Sequence, residues 1–470
     1  MRELWAHQKE GIRRATEQNN FAFFYDPGLG KSATVINVLR KRFNAHKMVM
    51  PTLILAPIIT LENWKEEFIL NSKIDPDRIL PLYGPVKKRR DRMNKAIDKY
   101  NRGIIVITNY EAIVTSKDFF NDLMKWKPRV LIVDESHKVK THNSKRTKNT
   151  VKLADEAEFK YLLTGTPVLN SPMDLYSQYL VLDGGETFGR NYYLFRQTFF
   201  YDMNFGMPKD KYFPNWVIRE NAVEEINRLI YKKAMRAIKS ECLDLPPFIC
   251  KKVVVELSPE QKRMYNEMKE NFITFLDKEA VTAELALTKA LRLMQITTGF
   301  AKTDKGEIIR MNTPRKAALQ EVLEEITPGH KVIVWCVFKE NYEQCIEVCN
   351  KLKVRYVEAH GSIAQKKKFD AVNKFETDST VRVFIGHPGA LGIGINLISA
   401  SYAVYYSRNF SLEQDIQSEA RNYRGGSHIH KNITRIDIVA KDTIDELVAT
   451  ALDNKMKISE EVLKDWKEKL

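Results

Sequence analysis

Asp26-Pro27-Gly28-Leu29-Gly30-Lys31-Ser32 closes a hydrophobic run, and Val130-Leu131-Ile132-Val133-Asp134-Glu135-Ser136-His137 follows later in the chain. The first stretch ends in the Gly-Lys-Ser of a phosphate-binding loop. There glycines let backbone N–H groups close round phosphate oxygens, the lysine offsets their charge and the hydroxyl ligates magnesium. Gly28, Gly30, Lys31 and Ser32 are therefore candidates for binding a nucleotide. The second stretch reads as a buried parallel strand delivering two carboxylates at its carboxyl end, where ligands sit in open α/β sheets. Asp134, with Ser32, is placed to hold the metal, and Glu135 to orient or deprotonate water. Each motif alone has an ordinary reading as well. Gly-x-Gly-Lys-Ser also occurs as a plain strand-to-helix loop, Tyr25 stands where the first glycine of G-x-x-x-x-G-K-[ST] belongs, and acids are common at helix starts. Together, in this order and on strand ends, they imply an NTPase.

A chain of 470 residues is too long for one core and suits two or three domains. Its 44% hydrophobic and 29% charged content is that of a globular protein, and no apolar run reaches the length of a membrane span. The opening Met1-Arg2-Glu3-Leu4-Trp5-Ala6-His7-Gln8 has no apolar signal core, so a cytoplasmic protein is expected, associated with nucleoid or viral DNA in a prokaryotic or viral setting. Five cysteines, an odd number, argue against a disulfide framework. Cys345 and Cys349 have helical spacing but no second Cys/His pair nearby, so no Cys/His metal site is expected. The net charge of +15 implies a polyanionic partner beyond the nucleotide. Its densest run, Lys87-Lys88-Arg89-Arg90-Asp91-Arg92, reads equally as a solvated helix face.

Strand-like runs at 52–56, 103–108, 130–133 and 160–163 alternate with helical patterns, and a second series occupies 331–338, 354–358, 381–385, 402–407 and 433–439. The expected fold class is α/β: two lobes, each a parallel sheet flanked by helices, with helical insertions between them. The first lobe takes 1–245, with a helical insertion near 185–235, and the second 246–470, with a helical segment near 258–325. Leu245-Pro246-Pro247-Phe248 reads as a stiff linker, and Ser258-Pro259-Glu260 as the start of a helix. Only the first lobe carries the phosphate loop, so the second is expected to close on that site.

Two further blocks bear on the chemistry. Thr164-Gly165-Thr166-Pro167 ends a strand, and its hydroxyls on a tight turn are placed to hydrogen-bond the Asp-Glu carboxylates and couple them to a mobile element. Gln417, Arg421 and Arg424 have spacings that share one helical face. Two such arginines suit the γ-phosphate, the alternative being a surface ion-pair face.

In this order the blocks resemble the superfamily 2 helicases, and within them the Swi/Snf-type ATP-dependent DNA translocases, over nearly the whole chain. Leu4-Trp5-Ala6-His7-Gln8 is similar to the glutamine motif that reads adenine. Leu53-Ile54-Leu55-Ala56-Pro57 with Asn63-Trp64-Lys65, and Ile107-Thr108-Asn109-Tyr110-Glu111, resemble motifs Ia and Ib, which line the DNA track. Gly389-Ala390-Leu391-Gly392-Ile393-Gly394 resembles motif V, and Gln417 to Arg424 motif VI. Leu291-Arg292-Leu293-Met294-Gln295-Ile296 and Thr443-Ile444-Asp445-Glu446 favour the Swi/Snf branch.

The resemblance implies two RecA-like lobes using ATP and Mg2+, and a monomer that moves on duplex, forked or four-way DNA, with targeting left to a protein partner. It implies catalytic roles for Asp134, Glu135, Gln417, Arg421 and Arg424, adenine recognition by Gln8, and coupling through Thr164, Gly165, Thr166 and Gly394. It implies DNA contacts at Pro57, Thr108, Asn109, Tyr110 and Gly389. A strand-separating helicase, which needs a wedge that the sequence does not reveal, and a nucleotide-gated clamp or remodeller are the competing readings.

Overall fold

In the first part of the chain the apolar runs become β1 (Asn20–Tyr25), β2 (Thr52–Leu55), β3 (Ile79–Leu82), β4 (Ile105–Thr108), β5 (Val130–Asp134) and β6 (Phe159–Leu163). A hairpin of β7 (Phe200–Asp202) and β8 (Trp216–Ile218) and a last strand, β9 (Ala234–Ala237), follow. These come from a computed structural model that describes residues 3–208, 212–278, 283–303, 305–389 and 395–463. Two units are distinguished: the first holds the chain to Phe205, Pro214–Leu243 and the end of the final helix from Lys455, and the second holds the segment 206–213 and Asp244–Asn454.

The sheet of the first unit has the order β3-β4-β2-β5-β6-β1-β9, with every pairing parallel. Strands apolar on both faces need cover on both, and alternate residues supply two cores. Phe21, Phe23, Tyr25, Ile54 and Ile132 pack with Trp64 and Phe68 on one face, whereas Ala22, Phe24, Leu53 and Leu131 pack with Trp126 and Tyr179 on the other. The order sets β5, β6 and β1 side by side, so the segments that leave their carboxyl ends emerge together.

The expectation of a helical insertion at 185–235 is corrected. Helices Tyr192–Phe199 and Ala222–Ile230 are present, but the segment also holds the antiparallel β7–β8 hairpin, and β9 directly after it pairs in parallel with β1 as the sheet edge. At four residues β9 is too short to leave a periodic signal, and it is held by the register with β1 and by Asp26 N–H donating to Ala237 O at 3.0 Å.

The second unit contains β10 (Phe248–Val255), a hairpin of β11 (Phe300–Lys302) and β12 (Ile308–Arg310), then β13 (Lys331–Trp335), β14 (Arg355–Ala359), β15 (Val381–Gly386), β16 (Ala400–Tyr405) and β17 (Ile433–Ala440). Its six-stranded sheet, β10-β17-β16-β13-β15-β14, is again all parallel. Pro246 and Pro247 therefore lead into an edge strand rather than a free linker. Proline favours extended backbone before it, and Lys251 and Lys252 stay exposed on that edge.

A buried cation fastens this unit. Arg315, on helix Pro314–Ile326, donates to Tyr406 O at 2.7 Å, to Ile438 O and to the Asp445 carboxylate. Asp445 also accepts from Thr297 Oγ1 at 2.9 Å and from Ala440 N–H at 3.0 Å. Thr297, directly after the block 291–296, and Asp445, in the block 443–446, thus meet on one ion pair. Removing one partner of a buried pair leaves an uncompensated charge, so Asp445→Ala is expected to cost the second unit about 3–5 kcal/mol. Urea titration followed by fluorescence checks this: the midpoint falls, and Asp445→Asn, which can still accept hydrogen bonds, loses less.

Candidate functional site

Between β1 and helix Lys31–His46 the loop uses a turn of its own. Leu29 N–H bonds Asp26 O at 3.2 Å with Pro27 and Gly28 at the centre, and Gly28 has φ 94°, the pattern of a type II turn. Pro27, a departure from the expected motif, fits that turn. Tyr25 fits too, because it is the last strand residue and its ring packs against helix Ala6–Thr16, with its hydroxyl donating to His7 O at 3.2 Å. Gly30, left-handed at φ 73°, caps the helix, and a Cβ there would lie 2.2 Å from Gln8 Nε2. Gln8 donates to Gly30 O at 3.3 Å and Leu29 O at 3.4 Å, while its Oε1 accepts from Trp5 N–H at 2.9 Å. The amide of Gln8 thus already touches the loop. Lys31 Nζ folds back onto Tyr25 O at 2.9 Å, and Ser32 follows in the first turn of the helix.

Asp134 ends β5 with its carboxylate buried. Trp64 Nε1 donates to its Oδ2 at 2.9 Å, Glu135 N–H to its Oδ1 at 3.0 Å, and the Tyr110 hydroxyl to its backbone carbonyl. Burial first, and then the neighbouring Glu135 charge, push the Asp134 pKa well above the ordinary carboxylate range, against the opposing pull of Trp64 and Lys31. Such a carboxylate favours a nearby cation. A hard-oxygen donor set with the Ser32 hydroxyl fits Mg2+. Glu135 is held left-handed at φ 50°, a conformation that costs a non-glycine residue of order 1–3 kcal/mol and turns the chain sharply after the strand.

The expected contact of the threonine hydroxyls with the carboxylates is relayed by a residue to which the sequence assigned no role. His137 Nδ1 lies 3.0 Å from Thr164 Oγ1, 3.5 Å from Thr166 Oγ1 and 3.4 Å from Glu135 Oε2. Gly165 passes close to the phosphate loop: a Cβ on it would sit 2.9 Å from Pro27 Cδ and 3.1 Å from Tyr25 O. Parallel register brings this about, since Asp134 pairs with Leu163 and Leu163 with Phe23.

In the second unit the shared helical face expected for Gln417, Arg421 and Arg424 is corrected. Helix Leu412–Glu419 carries Gln417, whose Nε2 donates to Glu413 at 3.4 Å, and ends before either arginine. Arg421 N–H turns back to Ser418 O, Asn422 Nδ2 donates to Ala400 O, and Gly426 takes φ 103°, so the chain leaves the helix in successive turns. Both arginines nevertheless converge, each Nη1 donating to Ile395 O at 3.3 Å. The helix itself is anchored by alternating charges: Asp415 accepts from Arg408 and Arg435, which also share Asp437. Gly394 lies outside the described residues.

A profile of the SNF2-related domain matches residues 7–305, more than half of the chain. The chain belongs to the SNF2-related family. A profile of the helicase conserved C-terminal domain matches residues 314–426, and the two place this SNF2-related chain among the ATPases of helicase superfamily 2. It is 26% identical to MG018 of Mycoplasma genitalium, an uncharacterized ATP-dependent helicase, over 98% of this chain and 42% of that protein. Protein p41 of Acyrthosiphon pisum secondary endosymbiont phage 1 is 25% identical over 94% of both chains. The human DNA annealing helicase and endonuclease ZRANB3 is 25% identical over 100% of this chain and 41% of that protein. The chain thus spans about two fifths of MG018 and ZRANB3 but nearly all of p41. The solved SWI2/SNF2 ATPase core of Sulfolobus solfataricus in complex with dsDNA is 23% identical over 99% of this chain and 96% of that one, with a TM-score of 0.43.

Several residues that the resemblance assigned to DNA lie inside the SNF2-related fold. Thr108 is buried, with its hydroxyl bonded to Leu82 O, Asn109 is buried against Glu111, and Tyr110 is buried under Asp134. Their side chains are committed to the sheet end. Pro57 remains half-exposed at the start of a short turn, and Gly389 lies in an exposed turn where a Cβ would press on Gln414. In the basic run, Arg90 pairs with Asp122 and Arg92 bonds Pro81 O, while Lys87 and Lys88 stay exposed. Among the described residues no helix is long and apolar enough to cross a membrane.

Gly11 tests how the loop is held. A Cβ there would lie 2.0 Å from the Tyr25 hydroxyl, so Gly11→Ala must shift the ring that supports the loop. It is expected to destabilise the first unit by about 1–3 kcal/mol and to weaken binding of a non-hydrolysable ATP analogue. Calorimetric titration of Gly11→Ala beside Gly11→Ala/Tyr25→Phe checks this, the second variant recovering part of the loss by deleting the clashing hydroxyl.

Proposed function

We propose that this protein hydrolyses ATP to translocate on duplex DNA, and that its task is to move forks and four-way junctions rather than to open plain duplexes. The observation that carries the reading is that Lys31 and Ser32, Asp134 and Glu135, and the Thr164–Thr166 turn all follow the carboxyl ends of the adjacent strands β1, β5 and β6. In this reading the loop amides and Lys31 take the phosphates, Lys31 exchanging the Tyr25 carbonyl for phosphate oxygens. Gln8 reports adenine to the loop carbonyls that it already touches. Ser32 and Asp134 would hold Mg2+, which neutralises phosphate charge when bound. Glu135 orients the attacking water and accepts its proton on a carboxylate oxygen. Arg421 and Arg424 offset charge on the transferred phosphoryl group, with Gln417 beside them, and Gly394 belongs with the Thr164–Thr166 turn in coupling.

DNA as the polyanion is supported by the +15 charge and by family membership. Contacts to phosphates rather than bases give weak sequence preference. The junction task follows from energetics: opening a plain duplex costs roughly 1.4 kcal/mol per base-pair step, whereas in branch migration each pair broken is matched by one formed. The name of the relative ZRANB3, a DNA annealing helicase, points the same way. A monomer at work in the cytoplasm or on the nucleoid, with a partner protein choosing the substrate, completes the proposal.

The test is ATP-dependent activity on a triplex, a fork, a four-way junction and a plain tailed duplex, with Glu135→Gln as the control. Third-strand displacement and junction movement are expected from the parent, with little unwinding of the tailed duplex. The control should bind nucleotide and do none of these. Processive unwinding of the tailed duplex without junction activity would replace this reading with a strand-separating helicase.

A further inference from the structure

A cavity of about 500 Å³ opens in the first unit at the end of the sheet away from the phosphate loop. Thr52 and Ile105, the first residues of β2 and β4, line it, whereas the loop, Asp134 and the Thr164–Thr166 turn follow the carboxyl ends of parallel strands. The far end of helix Lys31–His46 forms one wall, and the segment after helix Leu61–Asn71 another. Ile36, Met50, Phe68 and Ile105 are buried there, but Phe43 and Met48 stand 45% and 43% exposed beside them. Large apolar groups so exposed, next to a cavity of this size, mark an interaction surface rather than a core. The charge around it is one-sided: among the described residues Arg40, Arg42, Lys73 and Arg78 line the cavity against a single acid, Asp75. Asp75 is already engaged, accepting from Asp77 N–H at 2.9 Å and from the Tyr100 hydroxyl at 3.0 Å. The arginines bond neutral groups, Arg40 the Asn37 amide oxygen, Arg42 the Tyr161 hydroxyl and Ala15 O, and Arg78 Gly103 O. Nearby cations do find acids, Lys99 pairing with Asp77 and Arg129 with Glu158, but among the described residues these four form no ion pair.

An apolar cavity lined by cations without acids is matched by a ligand that brings large apolar groups and carboxylates together. We propose that it docks a short acidic segment of a partner protein, which seats Leu or Phe side chains against Phe43 and Met48 and sets carboxylates on Arg40, Lys73 and Arg78. Aromatic residues, Met and Arg are the types that interfaces favour, and a cationic rim speeds acidic partners and rejects basic ones. DNA would meet the charge but leave the apolar walls bare, and a second copy of this chain brings the same +15 charge. Because the cavity lies at the amino ends of the strands, the partner stays bound while nucleotide turns over at the carboxyl ends. The proposal rests on the motor reading above for the use of that partner, which is to choose the substrate, and deepens it by naming where the partner attaches.

The test follows, by fluorescence polarisation, the binding of a labelled peptide with Leu and Phe at i, i+3, i+4 and i+7 and Glu between them to the full chain. The same peptide with Lys in place of Glu is the control. The parent is expected to bind the acidic peptide, more weakly as salt rises, and the Lys peptide about tenfold less tightly or worse. Phe43→Ser and Arg40→Glu/Lys73→Glu are each expected to lose about tenfold or more in affinity for the acidic peptide, whereas Lys73→Arg stays within about twofold of the parent. All three should keep the parental affinity for an ATP analogue and the parental duplex-stimulated ATPase rate, which shows that they are folded. A parent that does not bind the acidic peptide, equal binding of the two peptides, or variants that bind as the parent does overturn the docking site. Displacement of the peptide by a blunt duplex or by octyl phosphate gives the cavity to a nucleic acid or to a lone amphiphile, and overturns it as well. A parent whose ATPase ignores duplex DNA would instead overturn the motor reading and leave the peptide result standing.

Discussion

Two carboxylates, Asp134 and Glu135, sit buried side by side at the end of a strand, and the rest of the first unit is arranged around that unfavourable placement. Burying neighbouring charges is costly unless donors or cations compensate. Trp64 Nε1 and the Glu135 N–H serve Asp134, Tyr110 fixes its backbone carbonyl, and Lys31 lies close enough to favour its charged form. Glu135 is turned by a left-handed backbone toward His137, which touches both hydroxyls of the Thr164–Thr166 turn. Such compensation is incomplete for Asp134, whose proton is held more tightly than usual. In the proposed reading, a cation with bound phosphates completes it.

Parallel register brings the parts of that local chemistry into contact. Because β5, β6 and β1 are neighbours, the carboxylates, the threonine turn and the phosphate loop share one edge, and Gly165 lies against Pro27 with no room for a side chain. A change in the loop is therefore felt at the turn through direct contact. The second unit holds its arginine segment by other means, with Arg408 and Arg435 alternating with Asp415 and Asp437 around the Tyr405 ring. Planar, multidentate guanidinium groups suit such a lattice better than lysines.

What the sequence made legible follows from what periodicity can report. Strands buried on both faces, such as β4, β5 and β15, stood out as continuous apolar runs. Of the edge strands only β14, read at 354–358, did. Pro81 disguised β3, four residues were too few to mark β9, and Pro246-Pro247 gave the start of β10 the look of a linker. At the site, glycine and lysine spacing marked the loop, but no pattern indicated that His137 would carry the contact from the threonines to Glu135. Trp64, which the resemblance set along the DNA track, is a buried donor to Asp134. Thr108 and Tyr110 were likewise drawn inward by hydrogen bonds that only the folded chain reveals. The arginines left their helix because Gly425-Gly426 and the Asn422 side chain favour turns over a further helical round.

Thermal unfolding of the first unit with a non-hydrolysable ATP analogue, in Mg2+ and in chelator, for the parent and for Asp134→Asn, tests most directly whether the buried carboxylates await a cation with the nucleotide. The account expects the analogue to raise the midpoint of the parent strongly in Mg2+ and weakly in chelator, because only a ligand that binds the native state stabilises it. Asp134→Asn, with one charge removed, should start at least as stable as the parent and lose the dependence on Mg2+. A parental midpoint that rises equally with and without Mg2+, or an Asp134→Asn variant that responds to Mg2+ as the parent does, would contradict it.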